Sequence, residues 1–256
     1  MRLATWNVNS IRQRAGHVHR WLARNQPDLL FLQEIKCEAD AFPAAAFADL
    51  GYRAHAVGQK AYNGVAVLAR VPFTVREEAL PGRPDGDAQA RYIEVETDGL
   101  VAGGLYLPNG NSGGDDGYAY KLAWMDALAA HAGRLLDRDT PLALLGDYNV
   151  CPTDADYAPG ALGPDDALVR APSRARFRRL IHAGMTDAVR ALHPDAAAYT
   201  FWDYQAGAWQ RDLGLRIDHV LLAPDLAERL VSAAPDRAER AEAQPSDHVP
   251  VIVELR

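Results

Sequence analysis

Residues 141–154 read PLALLGDYNVCPTD. An apolar run from Leu142 to Leu145 gives way to Asp147 and Asn149, and then to a turn rich in Pro and Asp. A short apolar run closed by turn residues reads as a buried strand, so the two polar residues stand at a strand's end. The arrangement recurs outward in both directions. RLATWNV ends at Asn7, with Asn9 beyond it; DLLFLQE ends at Gln33 and Glu34; VAGGLYL carries Tyr106 and leads to Asn109; RIDHVLLA carries Asp218. NGVAVLAR, RYIEVET and the terminal VPVIVEL add further strands, the last one preceded by Asp247 and His248.

Helical spacing appears between these strands. QRAGHVHRWLARNQ puts Val18, Trp21 and Leu22 on one face, and YAYKLAWMDALAAHAGRLL repeats Leu122, Met125, Leu128 and Leu135. SRARFRRLIHAG reads as a basic amphipathic helix stopped by Gly184. Strands outnumber helices, and hairpins mix with crossovers. The expected fold is an α/β sandwich, two mixed β-sheets packed face to face with helices outside. The loops at 81–88, 108–117 and 152–166 are too short and too mixed to be linkers, so residues 1–256 are expected to form a single domain.

Composition narrows the function classes. With 27 Lys and Arg against 34 Asp and Glu, the net charge of -7 lacks the overall basic footprint of many nucleic-acid binders, though binding depends on one face only. Lys36, Lys60 and Lys121 are the only lysines. Cys37 and Cys151 lie far apart and imply no disulfide framework, which fits a reduced cytoplasm. No apolar run is long enough to span a membrane, and the first strand follows Met1 at once, without a secretion leader.

The polar residues at the strand ends combine carboxylates, amides, a phenol and an imidazole. Oxygen donors of this kind suit Mg²⁺ or Mn²⁺. Neither zinc-type Cys/His spacing nor a phosphate-binding glycine loop nor a GxSxG elbow is present. In PSDHVPV (245–251), prolines flank the acid and the imidazole, and their fixed φ stiffens the turn that carries both.

TWNVNSIR, PDLLFLQEIK, LYLPNGN, GDYNVCPTD, LRIDHVLL and SDHVPV occur in this order across nearly the whole chain. In this the sequence resembles the exonuclease III type of abasic-site endonuclease, within the endonuclease/exonuclease/phosphatase superfamily. The resemblance implies a four-layered α/β sandwich. It also implies metal-dependent hydrolysis of the DNA phosphodiester 5′ to an abasic site, with 3′–5′ exonuclease or 3′-end-cleaning activity on duplex DNA. A bacterial, cytoplasmic, monomeric enzyme is expected.

By the same resemblance, Glu34, Asn7, Asp247, Asp147, Asn149 and His248 surround the metal, either Mg²⁺ or Mn²⁺. Asp147 and Asn149 handle the attacking water, and His248, oriented by Asp218, contacts the phosphate. Tyr106 contacts the phosphate or assists the leaving oxygen, and Asn109 also touches the phosphate. Phe201, Leu215 and Ile217 form an apolar pocket for a sugar without a base, with Trp202 and Arg216 in the same run as substrate contacts. Lys36, Arg12, Arg70, Arg91 and Lys121 are candidate phosphate contacts, and 174–180 is the densest basic cluster. Two other readings stay open: a phosphoesterase for a non-DNA substrate on the same fold, and a nucleic-acid-binding regulator without catalysis.

Overall fold

The computed structural model describes residues 1–256. Twelve strands form two six-stranded sheets. The first contains β1 (Arg2–Asn7), β2 (Leu29–Gln33), β3 (Arg53–Val57), β4 (Val65–Ala69), β11 (Leu230–Pro235) and β12 (Val251–Leu255), in the order β11-β12-β1-β2-β4-β3. The second contains β5 (Thr74–Glu77), β6 (Tyr92–Thr97), β7 (Leu100–Tyr106), β8 (Leu142–Asp147), β9 (Thr186–Asp187) and β10 (Asp218–Leu222), in the order β5-β6-β7-β8-β10-β9. Each sheet holds one parallel pair, β1 with β2 and β7 with β8, among antiparallel ones.

The central strands are apolar on both faces because both faces are covered. Leu3, Phe31, Val67, Ile93, Leu145 and Val253 belong to the core between the sheets. Trp6, Leu30 and Leu32 pack on the other side with Val18, Trp21 and Leu22 of α1 (Ile11–Asn25). Leu142, Leu144 and Leu221 pack with Trp124, Met125 and Leu128 of α2 (Gly114–Leu136) and with Phe177 and Leu180 of α3 (Ala171–His182). With α1 outside one sheet and α2 and α3 outside the other, the layering is α/β/β/α, the expected four-layered sandwich, while two short helices, α4 (Ala188–Leu192) and α5 (Pro224–Ala227), add Ala188, Val189 and Leu226 to the core between the sheets. Gly104 lets the sheets meet closely, since a Cβ there would stand 2.2 Å from Phe31 Cδ1. None of the helices is long and apolar enough to cross a membrane.

Register decides where the polar strand ends meet. Tyr106 is paired with Asp147 across β7 and β8, and Asp147 with Asp218 across β8 and β10. Asn7 is paired with Gln33 across β1 and β2, which leaves Glu34 just beyond the same edge. Polar residues far apart in sequence thus share one end of the sandwich.

Candidate active site

At that end lies a cavity of about 270 Å³ lined by Glu34, Tyr106, Asn109, Asp147, Asn149, Phe201, Leu215, Ile217, Asp247 and His248, all named by the sequence. Several backbones there are strained. Asn9, Ser10, Glu34, Lys36 and Asn149 all adopt positive φ without being glycine. Such conformations are held only where surrounding bonds over-determine them, and they concentrate at functional sites. Ser10 N–H donates to Glu34 O and Lys36 N–H to Asn63 O, which fixes the turn after β2.

His248 anchors the chemistry. Its Nδ1 lies 2.9 Å from Asp218 Oδ2, and its Nε2 lies 3.8 Å from Asp147 Oδ2. Trp6 Nε1 donates to the His248 carbonyl, and the Phe201 ring packs edge-on at 4.9 Å. Thr200 Oγ1 donates to the same Asp218 oxygen at 2.6 Å. Burial disfavours the imidazolium, but Asp218 and Asp147 outweigh burial and push its pKa up. Asp147 is likewise pushed up, by burial and by Asp218, against the pull of His248. Burial alone would raise Glu34, but Lys36 and the Asn7 amide hold it below the ordinary carboxylate range. Burial, Glu34 and Asp147 raise Tyr106, so its phenol stays protonated, with the Arg91 guanidinium 4.8 Å from its ring.

Glu34, Asp147 and His248 each offer an atom within 4.8 Å of the others, a spacing that a cation could bridge. The chemistry of the set favours its oxygens. Asp218 and Asp147 favour the protonated imidazole of His248, the form that donates to a phosphate oxygen, whereas an imidazole ligates a metal only when neutral. Asn7 stands between the two carboxylates. Its Nδ2 donates to Glu34 Oε1 at 2.8 Å and Asp147 Oδ2 at 3.0 Å, while its Oδ1 accepts from Asn9 N–H. Asn7 therefore spaces the two carboxylates. Asp247 Oδ1 is engaged by Asn9 Nδ2, and Lys36 Nζ stands 2.9 Å from Glu34 Oε2.

Lys121 is buried and touches no solvent. Its ammonium donates to the Asn109 carbonyl at 2.9 Å and the Asn149 carbonyl at 2.6 Å, tying two loops of the cavity together. Burial pulls its pKa down to about 7. The expected phosphate contact is thus an internal strut. Arg70 lies at the opposite end of the sandwich, paired with Asp28. In the basic cluster, Arg174 bonds the Cys151 carbonyl and Asp154, while Arg176 and Arg179 pair with Asp126 of α2.

Two expected substrate contacts are withdrawn from the cavity. Trp202 is wholly buried and donates its indole N–H to Asp212 at 2.9 Å. Arg216 is 1% exposed and locked to Asp156 and Asp187, each at 2.7 Å. Leu215 and Ile217, on either side of Arg216, reach the cavity instead. The sequence reading missed Asn111, Leu162, Asp166, Leu168 and Asp203, which also line it. They come from loops without period, and only the fold brings them in. Cys151 is a buried packing residue beside Leu168, Leu215 and Ile217.

Comparison with known proteins agrees with this geometry. Residues 4–248 match the model of the Endonuclease/Exonuclease/phosphatase family. The chain is 32% identical to exodeoxyribonuclease III of Haemophilus influenzae, with both chains covered in full. Among solved structures, the 3′–5′ exonuclease NExo of Neisseria meningitidis superposes with a TM-score of 0.94 at 40% identity, covering 100% of this chain and 99% of that one. A second NExo structure, described as a 3′ phosphatase bound to a product DNA hairpin, matches at 39% and 0.94 with the same coverage. An AP endonuclease from Archaeoglobus fulgidus matches at 33% and 0.91, again over 100% and 99%. Fold, strand-end cavity and full-length similarity together place the chain in the Endonuclease/Exonuclease/phosphatase family, alongside the exodeoxyribonuclease III enzymes.

Proposed function

We infer that this protein is a DNA-repair nuclease that cuts the phosphodiester 5′ to abasic sites and trims nucleotides or blocking groups from 3′ ends of duplex DNA, acting as a cytoplasmic monomer. One observation carries the reading. His248, backed by Asp218 at 2.9 Å, faces Asp147 at 3.8 Å, and the apolar side chains of Phe201, Leu215 and Ile217 line the same cavity. That pairing fits a phosphate beside a sugar that lacks a base. All six groups that a non-catalytic relative would be free to lose, Glu34, Asp147, Asn149, Asp218, Asp247 and His248, are retained.

A phosphodiester is already anionic, so catalysis must offset charge and aim a water in line. His248 would donate Nε2–H to a non-bridging oxygen and add positive charge there. Asp218 accepts from Nδ1 and fixes that orientation, as an acid does behind a catalytic histidine. Asp147, buried and raised toward neutrality, would orient the attacking water and take its proton. Its Oδ1 accepts from the Asn149 N–H at 2.9 Å, which aims the carboxylate. The protonated Tyr106 can give a proton to the leaving oxygen. The family is metal-dependent, and Glu34, with Asp147 and Asp247 beside it, would hold Mg²⁺ or Mn²⁺. Such an ion, when bound, supplies Lewis-acid neutralisation of the phosphate.

A labelled duplex with one central tetrahydrofuran abasic analogue, incubated with Mg²⁺ or with EDTA beside a lesion-free duplex, tests this. Metal-dependent cleavage at the lesion is expected, with 3′ shortening of the matched strand. Cleavage of neither duplex by folded protein would return the weight to a phosphoesterase for a non-DNA substrate or to a non-catalytic binder. A shift of emphasis is favoured by the comparisons: NExo, at 40% identity, is described as a 3′–5′ exonuclease, whereas the archaeal AP endonuclease stands at 33%. If 3′-end processing dominates, the matched duplex will shorten faster than the lesion is cut.

A further inference from the structure

A second hollow, of about 440 Å³, adjoins the catalytic cavity. Leu162, Phe201, Asp203 and Leu215 line both. Beyond that shared wall its sides are apolar, from Ala161, Ala208 and Leu213, while Gln205 and Arg211 supply polar edges. We propose that this hollow receives the nucleobase of an unmodified 3′-terminal nucleotide during exonucleolytic removal.

The sequence of sites follows the order of atoms in a nucleotide. His248 marks the phosphate. Phe201 packs on His248 at 4.9 Å and, with Leu215 and Ile217, marks the sugar. The hollow begins at the far side of Phe201 and Leu215. A cavity that accommodates a baseless sugar leaves a base nowhere to go, yet removal of an intact nucleotide must place one. Apolar walls accept a π-face of any base. Gln205 offers both an amide donor and an amide acceptor, so the edge contact does not depend on which base is present.

The hollow is preformed. Its floor loop is held by Trp202 donating to Asp212, by the Arg237–Asp212 pair at 2.8 Å, and by the Arg237 guanidinium 4.9 Å from both the Trp202 and Trp209 rings. Ala158 N–H to Gly214 O, at 2.9 Å, joins the loop to the opposite wall. These contacts give the buried Trp202 its function: it backs the wall and does not touch substrate.

This assignment rests on the nuclease reading, and the test separates the two. Ala161→Trp fills the hollow without altering any residue of the catalytic cavity, and Gln205→Ala removes a polar edge. Single-turnover rates are measured on two duplexes, one with an unmodified recessed 3′ end and one with a central tetrahydrofuran. Because a stacked base contributes on the order of a factor of ten or more, Ala161→Trp should slow removal of the unmodified nucleotide at least about tenfold while incision at tetrahydrofuran stays within about twofold. Gln205→Ala should act in the same direction and less strongly. Equal slowing on both duplexes would mean that the hollow tracks backbone or that the fold is damaged, and would overturn the assignment. Unchanged rates on both would also overturn it, as would a wild type that incises the abasic duplex but removes no unmodified nucleotide. Failure of the folded wild type on both duplexes would instead sink the nuclease reading itself.

Discussion

Asp218 and His219 are neighbours on β10, both fully buried, and they serve two opposite clusters. Asp218 turns toward His248 and Asp147. His219 turns the other way, to Arg216 at 3.0 Å and the Val150 carbonyl at 2.9 Å, packed against the rings of Tyr148 and Phe177. Both clusters mix acids with a histidine in the interior, and what differs is saturation. In the His219 cluster, Asp156 takes Arg216 at 2.7 Å and Arg190 at 2.6 Å, and Asp187 takes Arg216 at 2.7 Å. In the His248 cluster, Asp218 Oδ1 is buried without a partner, His248 and Asp147 stand 3.8 Å apart, and the backbone nearby is strained. A fully paired buried network holds the fold. A network left open toward a cavity can exchange protons and charge with what enters it.

The sharpest break of this comparison is removal of His248. His248→Gln or Asp147→Asn should lower kcat about a thousandfold or more while duplex affinity falls only modestly, because these groups act mainly in the transition state. Normal turnover in either would refute its role. Arg216→Met should do the reverse. It takes the guanidinium from buried Asp187 and leaves Asp156 with Arg190 alone, and breaking a buried pair costs roughly 3–5 kcal/mol of stability. Urea unfolding would show this, with kcat of the folded fraction near wild type; a large kcat loss without destabilisation would make Arg216 part of the site.

Lys121→Met probes the strut between the Asn109 and Asn149 carbonyls. Small misplacements of catalytic groups are costly, so kcat should fall roughly tenfold to a hundredfold with KM little changed. Lys121→Arg should recover part of the loss, and a defect in melting temperature alone would reduce Lys121 to a scaffold role. The smallest effect concerns acid. Burial raises Asp156 and Asp187, but Arg216 and its neighbours outweigh it, and both sit below the usual carboxylate range. Groups depressed in the folded state contribute stability above their unfolded pKa of about 4, and that stability is lost as pH falls through the folded values. Unfolding free energy should therefore decline below pH of about 4, and Arg216→Met should flatten that decline. An unflattened decline would assign the acid sensitivity elsewhere.

Legibility in the sequence followed burial. The central strands and the helices α1, α2 and α3 carry strong apolar patterns and are visible in the chain. The strands β3, β5, β9 and β11 were not read from it. β3 and β5 are largely half-buried or exposed, β9 has two residues, and β11 mixes exposed and buried positions. β3, β5, β9 and β11 end their sheets, and edge strands are often kept short or polar, which erases the signal of period two.

By itself the sequence determined the α/β class and the apolar strands that carry Asn7, Glu34, Tyr106, Asp147 and Asp218 at or just beyond one end. These depend on local patterning, which each segment carries alone. Only the tertiary structure decided which polar residues face each other. Trp202 and Arg216 sit in the same short run as Phe201, Leu215 and Ile217, yet the former are sealed in the scaffold and the latter open on the cavity. Nothing local separates them. Cross-strand register, the alternation of side chains and the partners waiting on each face make the distinction, and those partners, Asp156, Asp187, Asp212 and His248, come from distant parts of the chain.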